Sequence, residues 1–595
     1  MSRRRTRSRL AARLALALTG AMWILPFLSP LHFHPIPTFQ GELIAGLLGL
    51  AALSSWLAGR GTGPLTLPPI VLLPLFLAAL IVLQLARGQL VYPEDGMMGF
   101  LFLIWAVALI WLAAELREEF GFERVVALYA WCALIGALSS SAVGLLQYYA
   151  PDTIGRLAMK RMAPGIYANL GQSNHLANQL AVGLGSLVYL VATRRLAVAV
   201  AILVALPLLF ASALTLSRSP WLYFLAFSIL AAFHRGSTDR GAGRRLLVSS
   251  LILLGGIGLA QAASQLPFLQ PSSREVMPMD RLFEVASGWA PRIAVWKEAW
   301  EMFTAAPWLG VGFGQFAWHH FLQVSAEAPA APPGLFDHAH NLFLHLMAEL
   351  GVFAAAAAVL AVIAWIASLT REPASPERWW VLGVAAVAGI HSMLEYPLWY
   401  AYVLGAAALL GGVADRRRLP APRSAFAPFL LLPAVAAGWA TCAWLYFDYS
   451  RVEGLSFNVF VAGSGGDRMA RVREMLKNLE GCSLLEPYVD LGLATAEPLQ
   501  RERLGEKLAR NTRVLQFAPT REVAYRQAVL LALDDQVEPA RLQLARAAAY
   551  YPGFLVTFAH VLKDLEGTDP TAIGPLLRYA EERLNESRPD AVRPN

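Results

Sequence analysis

Long apolar stretches alternate with short polar ones from the start of the chain to about residue 446, and this alternation organises the rest. Runs rich in Leu, Ala, Val, Ile and aromatic residues fall near 11–29, 41–57, 68–86, 97–114, 125–148, 176–193, 197–215, 220–233, 246–263, 341–369, 379–396, 397–413 and 425–446. Most are about 17 to 25 residues long, the length a helix needs to cross the hydrocarbon core of a bilayer. The pattern therefore predicts an all-α, polytopic helical membrane protein with about 12–13 transmembrane helices. The runs near 220–233 and 397–413 are short, as tilted, broken or re-entrant helices would be. The longest polar interruption is a large loop at about 264–340.

Beyond residue 447 the pattern changes. DRMARVREMLKNLE, GEKLARNTRVLQF and REVAYRQAVLLAL carry helical periodicity on a charged, Ala- and Leu-rich background. AYRQAVLLALDDQVEPARLQLARAAAYYPGF alternates helix, turn and helix with small residues at packing positions, much like a degenerate tetratricopeptide unit. The expected organisation is a membrane domain, 1–446, followed by a soluble, helical, TPR-like domain, 447–595.

Only 15% of the 595 residues are charged, against about 25% in an ordinary soluble protein. The net charge of +7 does not point to nucleic acid, because much of the arginine lies in short loops between spans and reports orientation. Arg60, Arg117 with Arg124, Arg194 with Arg195, Arg235 to Arg245, Arg371 with Arg378, and Arg416 to Arg418 fall in alternate loops. That set is expected on the cytoplasmic side with the N-terminus. The 149–174 loop, TLSRSP, the 264–340 loop and the tail then share the opposite side. MSRRRTRSRLAAR runs into an apolar stretch with no small-residue cleavage site after it, so a retained first helix is expected. Cys132, Cys442 and Cys482 are too few and too scattered for a disulfide framework or a metal site.

Every group with chemical potential lies on that opposite side. Arg218, in TLSRSPW, sits at the end of an apolar run, where a charge is costly unless it meets a partner or an anion. Arg292, in APRIAVWKEAW, belongs to a short amphipathic helix with Trp296 and Trp300 on one face; an interfacial anchor explains that helix equally well. Two guanidiniums on one face suit bidentate binding of phosphate. DHAHN places Asp337, His338 and His340 immediately before a helix, with Asn341 as a candidate cap. The three are too close in sequence to surround one ion without help, so no metal is expected and a histidine acting as base or orienter is preferred. His345 and Glu349 follow at helical spacing. GIYANLGQSNHLANQ supplies Gln172, Asn174 and neighbouring amides, which suit sugar hydroxyls and would equally cap a membrane helix. HSMLEYPLWYAYVLG adds His391 and Glu395; an aromatic belt explains its rings but not its carboxylate.

In order, GQSNHLANQ, SRSPW, PRIAVWKEAW, GVGFGQF, HAHNLFLHLMAELG and HSMLEYPLWYAY resemble the O-antigen ligase and polymerase superfamily. The resemblance is closest to its PglL-type bacterial O-oligosaccharyltransferases. It implies transfer of a preassembled glycan from undecaprenyl pyrophosphate to an acceptor hydroxyl, with no metal, nucleotide sugar or other cofactor. The acceptor would be a Ser or Thr of a periplasmic or pilin-like protein, or a lipid A core sugar if the chain is an O-antigen ligase. Arg218 and Arg292 would grip the pyrophosphate and His340 would be the essential histidine. Gln172, Asn174, His338, Glu349 and Glu395 are further substrate-binding candidates. The enzyme would lie in the bacterial inner membrane among its lipids, with the large loop and the tail in the periplasm. A polymerase of the same superfamily is a further reading. A lipid-linked glycan transporter should show paired halves with matching broken helices, which the sequence lacks, and a scaffold would leave Arg218 and Arg292 without a purpose.

Overall fold

The computed structural model describes residues 2–59, 66–151, 157–161, 164–234, 239–271, 289–323, 335–371, 373–419, 427–461, 466–481 and 483–586. Arg60, Arg235, Cys482 and the part of the central loop that contains Met279 lie outside these residues. Regular structure among the described residues is helical, apart from one isolated bridge between Leu67 and Leu419.

Each predicted apolar run coincides with a helix. Eight of these helices are long and apolar enough to cross a membrane: Arg9–Leu28, Phe39–Gly59, Pro69–Ala86, Pro93–Phe120, Phe122–Tyr149, Ser173–Ala192, Arg240–Ser264 and Leu342–Thr370. Val198–Leu214, Ser219–Phe233 and Ala401–Ala414 are apolar but shorter. Pro376–Ser392 and Ala427–Val461 account for the remaining two runs.

The chain packs as two compact units. One comprises Met1–Ala79, Leu101–Phe283 and Ala356–Tyr446; the other comprises Leu80–Phe100, Glu284–Ala355 and Phe447–Asn595. The tail therefore shares its unit with two earlier segments.

In the first unit, small residues let helices approach closely, the means available where lipid removes the hydrophobic drive. A Cβ on Gly183 would lie 2.2 Å from that of Ala137. Two fully buried tryptophans donate from their indole N–H groups: Trp380 to Ser186 Oγ at 2.9 Å and Trp379 to the Phe227 carbonyl at 3.2 Å.

In the second unit the tail folds as successive helices, among them Glu486–Ala496, Leu504–Phe517, Arg521–Leu533, Val537–Tyr550, Leu555–Glu566 and Pro570–Glu586. Their apolar stripes meet in one core that includes Val514, Val523, Tyr525, Leu544, Phe558 and Leu576. The short helix Phe316–Leu322 adds Phe321 to that core. Residues 80–100 are tied in by polar contacts: Tyr92 donates to buried Asp490 at 2.8 Å, and the Arg513 guanidinium lies 4.8 Å from the Tyr92 ring. Asp490 also meets Arg510, which spans Glu480 and Glu497 as well. A buried carboxylate is tolerable here because several donors surround it.

Candidate active site

The helix Leu342–Thr370 is broken at Gly351, whose φ of 80° and ψ of −178° are not helical. A break frees carbonyls that would otherwise accept within the helix, and in a buried place they need other donors. The APWLGVGFGQF segment supplies them. Val311 N donates to Ala348 O at 2.8 Å, Gly312 N to Glu349 O at 3.2 Å, and Val352 N returns a bond to Pro307 O at 2.9 Å. The two strands of backbone run so close that a Cβ on Gly310 would sit 2.2 Å from the Glu349 carbonyl carbon, and one on Gly351 2.2 Å from the Trp308 oxygen. Glycine is required at both positions for this reason. Gln84, fully buried, completes the junction: its Nε2 donates to Leu309 O at 2.7 Å and Glu349 O at 2.8 Å, while its Oε1 accepts from Phe313 N at 3.0 Å.

This junction fixes the Glu349 side chain. Its two oxygens accept from Gly314 N at 3.0 Å and Phe316 N at 3.1 Å, so GVGFGQF acts as a nest of backbone amides for a carboxylate. His345, one turn earlier, places Nε2 3.4 Å from Glu349 Oε2. The two residues have the helical spacing read from the sequence. Glu349 is only 2% exposed and accepts from two backbone amides, and packing against a backbone is a reading that its sequence position leaves open beside substrate binding.

The DHAHN turn leads into this helix. Asn341 Oδ1 accepts from Leu344 N at 3.2 Å, the capping contact its position suggested. His340 adopts φ 49°, the left-handed region that a residue with a Cβ rarely occupies. It carries the imidazole at the helix entrance, where it remains partly accessible. His338 stacks on His345 with ring centroids 4.9 Å apart, and its Nδ1 lies 3.0 Å from Asp337 Oδ1. Asp337, His338, His345 and Glu349 thus form a continuous series behind His340. Among the described residues, no group of three or more His, Cys, Asp or Glu side chains is arranged to hold a metal ion.

Arg292 lies in the helix Trp289–Ala305 and is half-buried. That helix packs through Val295, Ala299 and Met302, at helical spacing, against Phe316, Ala339 and Ala348. Arg292 stands one turn before Val295 on the same stripe, so its helix is held against the turn that contains His338 and His340. Ile293 and Trp300 on other faces are exposed.

In the first unit Arg218 is the N-cap residue of the helix Ser219–Phe233, with an exposed side chain and, among the described residues, no carboxylate partner. A helix N-terminus favours anions, so a cation there is well placed only when an anion joins it. Gln172 and Asn174 converge on Glu395: Gln172 Nε2 donates to Oε2 at 3.1 Å and Asn174 Nδ2 to Oε1 at 2.7 Å. Gln172 precedes its helix but makes no side-chain capping bond, so the simple cap does not account for it. Glu395 is 2% exposed; like Glu349 it orients other groups. Asn169 is consumed internally, bonding Leu28 O, Leu157 O and Met159 N.

Sequence reasoning missed Gln84, Glu298 and His320. Gln84 was detectable as the lone polar side chain in LLPLFLAALIVLQLA. Nothing in the pattern pairs Glu298 with His320.

Comparison with known proteins relates the chain to membrane proteins of glycan transfer. The O-antigen ligase family model matches residues 203–359, spanning Arg218, Arg292, the DHAHN turn and Glu349. The family model described as virulence factor membrane-bound polymerase, C-terminal, matches residues 379–561, from the Pro376–Ser392 helix into the helical tail. Both segments are similar to one superfamily, that of the O-antigen ligases and polymerases. Within it, the chain is similar to the general O-oligosaccharyltransferase of Acinetobacter baylyi, at 26% identity over 393 residues, 66% of this chain and 68% of the relative. It is also similar to the ComP-specific O-oligosaccharyltransferase of the same organism, at 23% identity over 441 residues, 74% and 76% of the two chains.

Proposed function

We propose that the chain is an O-linked oligosaccharyltransferase that moves a preassembled glycan en bloc from undecaprenyl pyrophosphate to Ser or Thr hydroxyls of acceptor proteins, pilin-like proteins among them. The relatives' names support glycan transfer to protein. The observation that carries the reading is the presentation of His340 in a left-handed turn, packed against the helix of Arg292 and backed by the His345–Glu349 pair.

The chemistry assigns a task to each group. The acceptor oxygen attacks the anomeric carbon, the bond from that carbon to the pyrophosphate oxygen breaks, and the hydroxyl proton passes to the His340 imidazole. Such proton transfer is worth about 10²- to 10⁴-fold in rate. Negative charge grows on the departing pyrophosphate, and guanidiniums aimed at it stabilise the transition state more than the ground state. Arg292 and Arg218 are assigned to that charge. Glu349, Asp337 and His345 hold His338 and the turn; Glu395 orients the Gln172 and Asn174 amides toward sugar hydroxyls. The loop and the tail are assigned to the periplasmic side of the bacterial inner membrane.

The test is reconstitution of purified protein with a lipid-linked glycan and, separately, a pilin-like protein and lipid A core. Glycan on the protein acceptor is the expected outcome. Glycan on lipid A core alone would make the chain an O-antigen ligase, and donor movement without a covalent product would refute transfer. Reporter fusions after residue 447 should be active only in a periplasmic format.

A further inference from the structure

Behind the DHAHN turn lies a second histidine–carboxylate pair that the proposed reaction does not use. Glu298, on the helix of Arg292 and six residues beyond it, accepts a short hydrogen bond from His320 Nδ1. His320 is completely buried and Glu298 nearly so, with side-chain exposures of 0% and 13%. Neither imidazole nitrogen of His320 can reach a substrate, so this is no second acid–base centre.

Five further contacts give the pair a direction. The Tyr550 hydroxyl, from the tail, donates to the His320 carbonyl at 2.5 Å. Its ring also packs on His320 and Phe321, with centroids 5.3 Å away in each case. On the opposite flank, Phe336 stands edge-on between His320 and His340, at 5.7 Å and 5.6 Å from the two rings. A buried ion-pairing group is weak evidence for stability, since apolar side chains of similar volume would often serve as well. What such a pair supplies is direction, because a hydrogen bond fixes an orientation that apolar packing leaves free.

We infer that Tyr550, His320 and Glu298 are positioning residues through which the C-terminal helical domain sets both the helix of Arg292 and, across Phe336, the ring of His340. The tail is then part of the catalytic apparatus by mechanical linkage, whatever acceptor it also meets. The inference rests on the proposed roles of Arg292 and His340.

The experiment uses the full-length purified chain in liposomes with a lipid-linked glycan and whichever acceptor the wild type glycosylates. Tyr550→Phe removes only the hydroxyl, Glu298→Ala removes the carboxylate, and Glu298→Gln restores an acceptor of the same length. Small displacements of catalytic groups reduce rate steeply, so each of the first two variants is expected to lower kcat about tenfold. Glu298→Gln should recover most of the loss. The double variant should be no worse than the poorer single one, because both act through His320. Thermal unfolding confirms that equal amounts of folded protein are compared. Wild-type kcat in Tyr550→Phe, losses that multiply in the double variant, or equal loss in Glu298→Gln and Glu298→Ala would each overturn the linkage. Full turnover in His340→Ala would instead refute the proposed function on which it rests.

Discussion

The peptide nitrogen of Gly314 donates to the Glu349 carboxylate at 3.0 Å across 35 residues of chain. With the matching bond from Phe316 N, it makes a glycine-rich loop the receptor for a carboxylate carried on a broken membrane helix. The loop and the helix that follows DHAHN are therefore one mechanical object, and substitutions in either should report on the other.

Glu349→Ala leaves the buried Phe316 amide without an acceptor, at about 1–3 kcal/mol, and frees the exposed Gly314 amide to water at less cost. The expected outcome is a lower unfolding temperature together with reduced turnover. Glu349→Gln retains one accepting oxygen and should fall between Ala and wild type in both measurements. A Glu349→Ala protein that is as stable as wild type but cannot bind donor would return this residue to the substrate.

His340→Ala and His340→Gly should both abolish transfer, yet differ in stability. At φ 49° glycine is unstrained, whereas a residue with a Cβ bears a penalty of about 1 kcal/mol. The glycine variant should therefore unfold at a higher temperature than the alanine variant while remaining inactive. Turnover above a few per cent in either, measured on purified protein, contradicts the assigned proton transfer. His338→Ala should be milder, because His338 supports the turn from the side.

Arg218→Lys and Arg292→Lys keep charge and lose the planar fork. If each binds pyrophosphate, donor affinity should weaken about tenfold or more, comparable to one charge-assisted hydrogen bond of about 1.5–3 kcal/mol. Donor binding measured apart from turnover checks this. Unchanged affinity and rate in both variants would remove pyrophosphate binding from their roles.

Gln84→Leu makes its membrane helix more apolar and should nonetheless destabilise the protein. It orphans the Leu309 carbonyl and the Phe313 amide, each at about 1–3 kcal/mol if no water substitutes, and leaves the Glu349 carbonyl with Gly312 N alone. Reduced accumulation, with a lowered unfolding temperature for whatever protein is recovered, is the expected result. A stability gain would show that the junction relaxes around the loss.

Much of the fold was legible because membrane helices announce themselves by length and apolarity alone. All thirteen runs proved helical, and the His345–Glu349 spacing and the Asn341 cap follow from local sequence. Glu349's amide partners were not legible, since helical periodicity tells which face a residue occupies and nothing about what lies opposite. Likewise, no local signal joins residues 80–100 to a tail four hundred positions later; Tyr92 and Asp490 become neighbours only through tertiary packing. For Gln172 and Asn174 the amide chemistry was readable, while their shared attachment to Glu395 depends on a bend more than two hundred residues away.

The Gln84 junction also bears on the order of synthesis. Gln84 leaves the ribosome long before its partners, which follow 225 to 265 residues later. A nascent chain halted before Glu349 would hold this carboxamide in an apolar helix with its native acceptors still unmade, and one halted before Tyr550 would lack the brace on His320. If the proposed roles hold, full turnover arrives only with nearly the whole chain, and a product truncated before Tyr550 should transfer glycan more slowly than the complete one.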